Sequence, residues 1–315
     1  MDSFFIKNRK KLKVAVCVEQ GDGAGLVFLM HGLGGFKEQP HISMMADVFA
    51  RNGFTVVRFD ATNSLGASDG SYQHATVTNY LADLEDVIAW AKTQAWYEEP
   101  FTLAAHNMGG MCIALYAARY PSLVKALAPV ATIVNGPLSL QALKTKEAST
   151  MDAWKASGWL LRESRSKPGV IKRLKWSHME DRMQYDLLSV ASALTMPVFL
   201  AVGDKDYITP RSHQQMLFDA IPGQKELHVI PNAAHRFRDV INLRELEKVL
   251  DGWVGRLVLR GDDGMGDHLH VEAVRPRDTG VHLGGNDLTG VRNRATTPVA
   301  PRAAEAPGAR AGQRG

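Results

Sequence analysis

One short segment of the chain combines a turn suited to a nucleophile with a residue that is a poor nucleophile. The segment reads Ala105-His106-Asn107-Met108-Gly109-Gly110. It follows the spacing of Gly-x-Ser-x-Gly, a sharp strand-to-helix turn that lifts a serine hydroxyl clear of a sheet. Here Ala105 replaces the first glycine and Asn107 replaces the serine. A carboxamide nitrogen has a delocalised lone pair and no readily removed proton, so we expect covalent catalysis at this position to fail.

The elements on either side of this turn are predicted to be a buried strand and a helix. Residues 101–105 form a short apolar run, and residues 111–120 are rich in Ala, Leu and Ile. Asparagine enters positive φ more easily than most other residues with a side chain, so the turn should tolerate Asn107. We therefore expect the scaffold to survive while its chemistry is removed.

The rest of the chain alternates between strand and helix patterns, which is typical of a mostly parallel sheet with helices on both faces. The other predicted strands are residues 14–18, 26–30, 55–59, 124–131, 196–202 and 226–230. The other predicted helices are residues 42–52, 77–94, 210–221 and 243–254. The predicted fold class is therefore α/β.

The alternation also suggests how the chain is divided. Residues 133–194 change to amphipathic helical patterns, and we interpret them as a small helical cap inserted between core segments 1–132 and 195–258. No aromatic residue follows Trp253, and residues 259–315 are rich in Gly, Ala, Pro and Arg. Such a segment buries too little apolar surface to offset the entropy of ordering, so a disordered tail is predicted.

Composition disfavours several broad classes of protein. The chain has 315 residues, 45% of them hydrophobic, which is enough for one large core. A formal net charge of +4 without a long basic run argues against nucleic-acid binding, and no apolar run has the length of a membrane span. Cys17 and Cys112 are too few for a disulfide framework, which favours a reducing, cytoplasmic compartment. The histidines form no ligand pair with carboxylates, so we expect neither a metal nor a cofactor.

Several further motifs follow the predicted strands. They are His31-Gly32-Leu33-Gly34-Gly35, the Gly- and Ser-rich stretch 60–70, Gly203-Asp204-Lys205-Asp206 and Asn232-Ala233-Ala234-His235. In this order, and with the turn at Asn107, the chain resembles α/β-hydrolases of the serine-aminopeptidase-like and cinnamoyl (feruloyl) esterase-like group over about residues 14–254. The resemblance implies the α/β-hydrolase fold, with a cap before the acid-bearing strand, and a small-molecule ester or acyl compound as substrate.

The same resemblance assigns a catalytic triad. Carried over position by position, Asn107 takes the nucleophile position, Asp206 is the acid and His235 is the base. Asp206 is preferred to Asp204 because the family places its acid three residues after the glycine and four before the proline. His235 would move a proton between nucleophile and leaving group, while Asp206 would orient its imidazole.

An oxyanion hole is expected beside the triad. It needs backbone N–H donors, which the resemblance places at Leu33 and Met108. Met108 also opens a helix, where the dipole favours an anion. The remaining residues predicted to contact substrate are His31, Gly32, Phe36 and His106, with packing in the core an equal alternative for Phe36.

Asn107 leaves three interpretations of function open. In the first, the chain is an esterase-type hydrolase whose turnover the asparagine impairs. In the second, it is a non-catalytic pseudoenzyme that binds a small ligand or a partner through the former substrate pocket. In the third, deamidation of Asn107 supplies a carboxylate nucleophile. The last ranks lowest, because a bulky Met after Asn does not favour deamidation. A dinucleotide-binding fold is disfavoured because the glycines at 31–35 lack the G-x-G-x-x-G spacing.

Overall fold

The fold is built on a sheet of mostly parallel strands, as seen in a computed structural model that describes residues 1–164 and 167–262, with side chains to residue 259. The strands are β1 (Asp2–Lys7), β2 (Lys13–Glu19), β3 (Gly25–Met30), β4 (Phe54–Phe59), β5 (Phe101–His106), β6 (Val124–Val130), β7 (Trp159–Glu163), β8 (Ile171–Lys175), β9 (Val198–Gly203) and β10 (Lys225–Ile230). Within the described chain, eight of them form one sheet in the order β1-β2-β4-β3-β5-β6-β9-β10. The pairs β1–β2 and β2–β4 are antiparallel, and the rest are parallel.

Helices cover both faces of this sheet. They are α1 (Pro40–Arg51), α2 (Val77–Ala91), α3 (Met108–Arg119), α4 (Gly136–Ser157), α5 (Ser177–Arg182), α6 (Arg211–Ala220) and α7 (Val240–Asp262). Residues of α2 and α3 belong to one buried hydrophobic cluster, and residues of α1 and α7 belong to a second. Every residue of β3 and of β5 is buried, as expected for parallel strands packed on both faces. The predicted α/β architecture, a mostly parallel sheet with helices on both faces, is confirmed.

The cap contains strand as well as helix, which differs from the purely helical expectation for residues 133–194. After α4 the chain forms an antiparallel hairpin of β7 and β8, followed by α5 and a 3-10 segment, Leu188–Ala193. The Arg173 guanidinium lies 4.8 Å from the ring centre of Trp159 on the facing strand. Contacts of this kind join residues distant in sequence, so helical spacing within a short window did not reveal the hairpin.

The two ends of the described chain also differ from expectation. Strand β1 was not predicted, because only Ile6 of its residues is buried and an edge strand with one buried side chain shows little alternation. Helix α7 continues to Asp262, past the predicted boundary at residue 258. The remainder of the predicted tail, residues 263–315, lies outside the described residues. No helix of the described chain has the length and apolarity needed to cross a lipid bilayer.

Candidate active site

Asn107 occupies a strained turn between β5 and α3. Its backbone has φ 54° and ψ −116°, in a region that residues with side chains rarely adopt. Its N–H donates to Val130 O at 3.0 Å, and its carbonyl accepts from the Ile133 N–H at 3.3 Å. These bonds tie the turn to the end of β6, so the neighbouring strand holds the conformation in place.

Glycines allow other backbone segments to approach this turn closely. A Cβ added at Gly32 would lie 2.8 Å from Asn107 Cβ, so the loop after β3 packs directly on the asparagine. A Cβ added at Gly109 would lie 2.5 Å from the carbonyl oxygen of His31. Both distances are below normal contact, which explains why glycine stands at each position.

Asp206 and His235 meet beside the turn. They follow the adjacent parallel strands β9 and β10, whose carboxyl ends lie at the same edge of the sheet. The His235 Nδ1 to Asp206 Oδ2 distance is 2.7 Å. Asp204, in contrast, is exposed. The structure thus pairs the histidine with the aspartate that the sequence spacing favoured.

The Asp206 carboxylate is fully engaged by hydrogen-bond donors. The Thr209 hydroxyl donates to it at 2.7 Å, and the N–H groups of Ile208 and Thr209 donate at 2.8 and 3.0 Å. Burial raises the pKa of Asp206, but His235 and the Thr209 donors lower it more, so the net shift is downward. An ionised Asp206 can therefore orient the imidazole and stabilise its cation.

Asn107 and His235 line one small, partly open polar cavity. The full set of lining residues is Gly32, Leu33, Gln39, His41, His106, Asn107, His235 and Arg236. The cavity therefore brings together the predicted nucleophile position and base, one of the two predicted oxyanion residues, and two of the predicted substrate contacts.

Other predicted residues lie around this cavity rather than on its wall. The Met108 side chain is buried in the hydrophobic core, while its N–H lies in the first turn of α3, where no helical carbonyl reaches it. His31 is fully buried, with Nδ1 2.8 Å from Gly32 O and Nε2 accepting from the Ala61 N–H at 3.1 Å. Phe36 is half-buried, and the Lys167 ammonium lies 5.0 Å from its ring centre. We find His31 and Phe36 in supporting positions, not among the lining residues.

Three lining residues, Gln39, His41 and Arg236, were missed by sequence reasoning. Arg236 directly follows the predicted base, and this adjacency was the one feature of the sequence that could have identified it as a lining residue. His41 lies in the first turn of α1, and nothing in its local sequence distinguishes it from other buried histidines. Only the three-dimensional arrangement brings α1 against the loop that carries His235.

The imidazoles of His41, His106 and His235 form a row of rings in edge-on and tilted contact. The ring centres of His41 and His106 are 4.4 Å apart, and those of His106 and His235 are 4.8 Å apart. His106 Nε2 lies 2.8 Å from the His235 carbonyl oxygen, to which it donates. Burial lowers the pKa of His41 to about 3 and lowers that of His106 well below its ordinary value. Both rings are therefore neutral near pH 7, and the bond from His106 fixes the backbone that carries His235.

The arrangement combines parts that suit acyl transfer with one that does not. An imidazole oriented by Asp206 and two candidate N–H donors suit acyl transfer, but the Asn107 carboxamide gives His235 no acidic proton to remove. Within the described part of the chain, no group of three or more His, Cys, Asp or Glu residues is placed to hold a metal ion.

Comparison with known proteins is in agreement with this fold. The family described as "Serine aminopeptidase, S33" matches residues 21–238. The chain is 24% identical over 246 residues to the mitochondrial palmitoyl-protein thioesterase ABHD10 of Bos taurus, covering 76% of this chain and 75% of that protein.

Solved structures give the same result. Est1E of Butyrivibrio proteoclasticus, in a structure with bound ferulic acid, superposes with a TM-score of 0.69 at 19% identity, covering 81% of this chain and 99% of that one. Alpha/beta hydrolase domain-containing protein 10 from mouse superposes with a TM-score of 0.66 at 21% identity, covering 82% of this chain and 100% of that one.

Proposed function

Because the chain belongs to the serine aminopeptidase S33 family of α/β-hydrolases, we propose that it is an esterase-type protein that binds a small ester or acyl ligand at Asn107 and is severely impaired in turnover. One observation carries the proposal. The Asp206–His235 pair is intact at 2.7 Å, while the strained turn beside it holds a carboxamide in place of a hydroxyl.

The kind of ligand follows from the cavity and from the similar proteins. Candidate backbone donors at Leu33 and Met108 suit a carbonyl oxygen. One similar protein is a thioesterase, and another was solved with ferulic acid bound. We therefore propose a carboxylic ester, a thioester or the free acid as the ligand.

The size of the impairment can be anticipated. In serine proteases with this triad, removing the nucleophile lowers kcat by about 10⁶, and about 10³ to 10⁴ over the uncatalysed reaction remains from the oxyanion hole and binding. If Leu33 and Met108 donate as proposed, the native chain should show only that residual rate.

The test is to restore the hydroxyl. We expect Asn107→Ser to hydrolyse short-chain aryl esters or methyl cinnamates at least about 10⁴-fold faster than the native chain. The matched control is Asn107→Ser combined with His235→Ala, which keeps the hydroxyl but removes the base and should return the rate to the native level.

Two results would contradict the proposal. An Asn107→Ser chain that is folded by circular dichroism yet remains inert would show that more than the nucleophile has been lost. A native chain with full esterase activity that is abolished by Ala at Ser64 or Ser68 would place the nucleophile elsewhere.

A further inference from the structure

Arg182, the last residue of α5 in the cap, is a buried cation. Only 5% of its surface is exposed. One terminal nitrogen lies 2.5 Å from His178 Nε2, and the other donates to the Ser139 hydroxyl at 3.4 Å. The third nitrogen, Nε, is buried and has no hydrogen-bond partner. A buried guanidinium with an unused donor is unusual, because desolvation is costly unless the charge is paired.

Arg182 forms no ion pair with any described carboxylate. The charge of Asp181 favours the protonated guanidinium, but it acts from beyond contact distance. The Asp181 carboxylate accepts hydrogen bonds from the hydroxyl and N–H of Thr78 instead. His178 is neutral, because Nδ1 donates to Ala75 O at 2.8 Å and burial, reinforced by Arg182, lowers its pKa. Burial lowers the pKa of Arg182 to about 10, which still leaves it charged near pH 7.

The contacts of Arg182 link it to two segments beside the candidate active site. Its partner His178 is bonded to Ala75, in the segment between β4 and α2. Its partner Ser139 lies in the first turn of α4, which follows β6. In the sheet, these two segments follow β4 and β6, the strands that flank the adjacent pair β3 and β5. β3 and β5 are the strands whose following residues include Leu33 and Asn107.

Tyr72 belongs to the same turn as Ala75, whose N–H donates to the Tyr72 carbonyl at 3.1 Å. Its ring packs on the loop after β3, since a Cβ added at Gly34 would lie 2.7 Å from Tyr72 Cε2. Burial raises the pKa of Tyr72 to about 12, and the charges of Arg182, Arg236 and Arg162 act against that rise. Arg236 is itself a lining residue of the cavity. Of the arginines that act on Tyr72, Arg162 is paired with Glu147. The buried Arg182 forms no ion pair with a described carboxylate.

We propose that Arg182, together with the Tyr72 hydroxyl, binds a carboxylate on the ligand whose ester carbonyl lies at Asn107. The preferred ligand is then a monoester of a dicarboxylic acid, anionic at the end remote from the ester. Arginine suits this role because its planar guanidinium can donate two parallel hydrogen bonds to one carboxylate. This inference rests on the proposed function, since it specifies the ligand of the same site.

The test measures binding to the native chain by isothermal titration calorimetry. The probes are the monomethyl esters of succinic, glutaric and adipic acids, each compared with a neutral methyl ester in which an isopropyl group replaces the carboxylate. We expect at least one anionic ester to bind about tenfold or more tightly than its neutral counterpart, as is typical of a hydrogen bond to a charged group.

Variants of Arg182 then assign that preference to the side chain. Arg182→Gln should bring the ratio of the two affinities close to one, and Arg182→Lys should retain part of it. The matched control is Arg119→Gln, which removes a surface arginine of α3 that pairs with Glu85, and it should leave the ratio unchanged.

Thermal unfolding separates this role from a purely structural one. Removing a buried, unpaired charge should leave the melting temperature of Arg182→Gln unchanged or raise it. A lower melting temperature with an unchanged affinity ratio would overturn the inference in favour of a structural arginine. Equal binding of anionic and neutral esters to the native chain would overturn the inference alone, whereas binding of neither would contradict the proposed function as well.

Discussion

Asn107, Asp206 and His235 reach one site because each follows a different strand of the same sheet. The three positions come after β5, β9 and β10, and the backbone around each is held by bonds that do not involve the nucleophile side chain. Asp206 is fixed by Thr209, and His235 is fixed through its carbonyl by His106. Replacing a hydroxyl by a carboxamide therefore removes a reactive group while leaving its neighbours in place.

The neutral imidazole of His41 should make the protein sensitive to acid. The pKa of His41 is about 3 in the folded chain, against about 6.5 in an unfolded one. As pH falls below 6.5, the unfolded chain binds a proton that the folded chain excludes, so this residue lowers the free energy of unfolding by about 1 kcal/mol per pH unit. We expect His41→Gln to lose less stability than the native chain between pH 6.5 and 4.5, as measured by urea unfolding.

The control for this prediction is His74→Gln. His74 is exposed in the folded chain, so its removal should leave the acid sensitivity of the native chain unchanged. If His41→Gln and the native chain lost stability in parallel over this range, His41 would not be the buried neutral group that its surroundings indicate.

At the scale of elements, the packing of α3 on the loop after β3 depends on Gly109. A methyl group at Gly109 would meet backbone, the His31 carbonyl, at 2.5 Å, and backbone gives way less readily than a flexible side chain. We expect Gly109→Ala to lower the free energy of unfolding in urea by about 2 kcal/mol or more, the usual effect of overpacking.

Gly252 provides the matched comparison, because it also lies within a helix. A Cβ there would meet nothing closer than Arg256 Nη1, at 3.6 Å. Gly252→Ala should raise stability by about 0.5 to 1 kcal/mol, since alanine favours helix. Equal effects of the two substitutions would show that close packing does not explain the glycine at 109.

Sequence patterns predicted the elements that repeat a simple period and missed those stabilised by distant partners. The strands β2 to β6, β9 and β10 were predicted to within a few residues, because each is a short apolar run bounded by turns. The β7–β8 hairpin was missed because all but one of its residues are exposed or half-buried, so they show no clear apolar run, and because each strand pairs with a segment several residues away. The same difference separates the residues of the site. Local motifs predicted Asn107, Asp206 and His235, whereas the positions of His41 and Arg182 depend on contacts with segments remote in sequence.

At the scale of the whole molecule, the two cysteines should report different unfolding events. Cys112 is fully buried in α3 within the hydrophobic core, and burial raises the pKa of its thiol. Cys17 is also buried, but it lies opposite Ser3 of the edge strand β1, whose side chains are mostly exposed. Local opening of an edge needs less free energy than global unfolding. We therefore expect Cys17 to react with a thiol reagent at urea concentrations that still protect Cys112.

Mass spectrometry of the modified chain, with Cys17→Ser and Cys112→Ser to assign the sites, measures this order. Simultaneous modification of both thiols across the urea range would indicate that β1 opens only with the whole fold. Earlier modification of Cys112 would contradict its placement in the core.

The positive φ of Asn107 has a consequence for the history of the gene. Either asparagine codon becomes a serine codon by one A-to-G transition at its second base. Because the strained turn, the Asp206–His235 pair and the loop at Gly32 are all retained, that transition is the whole mutational distance between the present turn and one that carries a hydroxyl. Under the proposed function, a hydroxyl nucleophile would therefore be gained by one transition, provided that the surrounding geometry continues to be inherited.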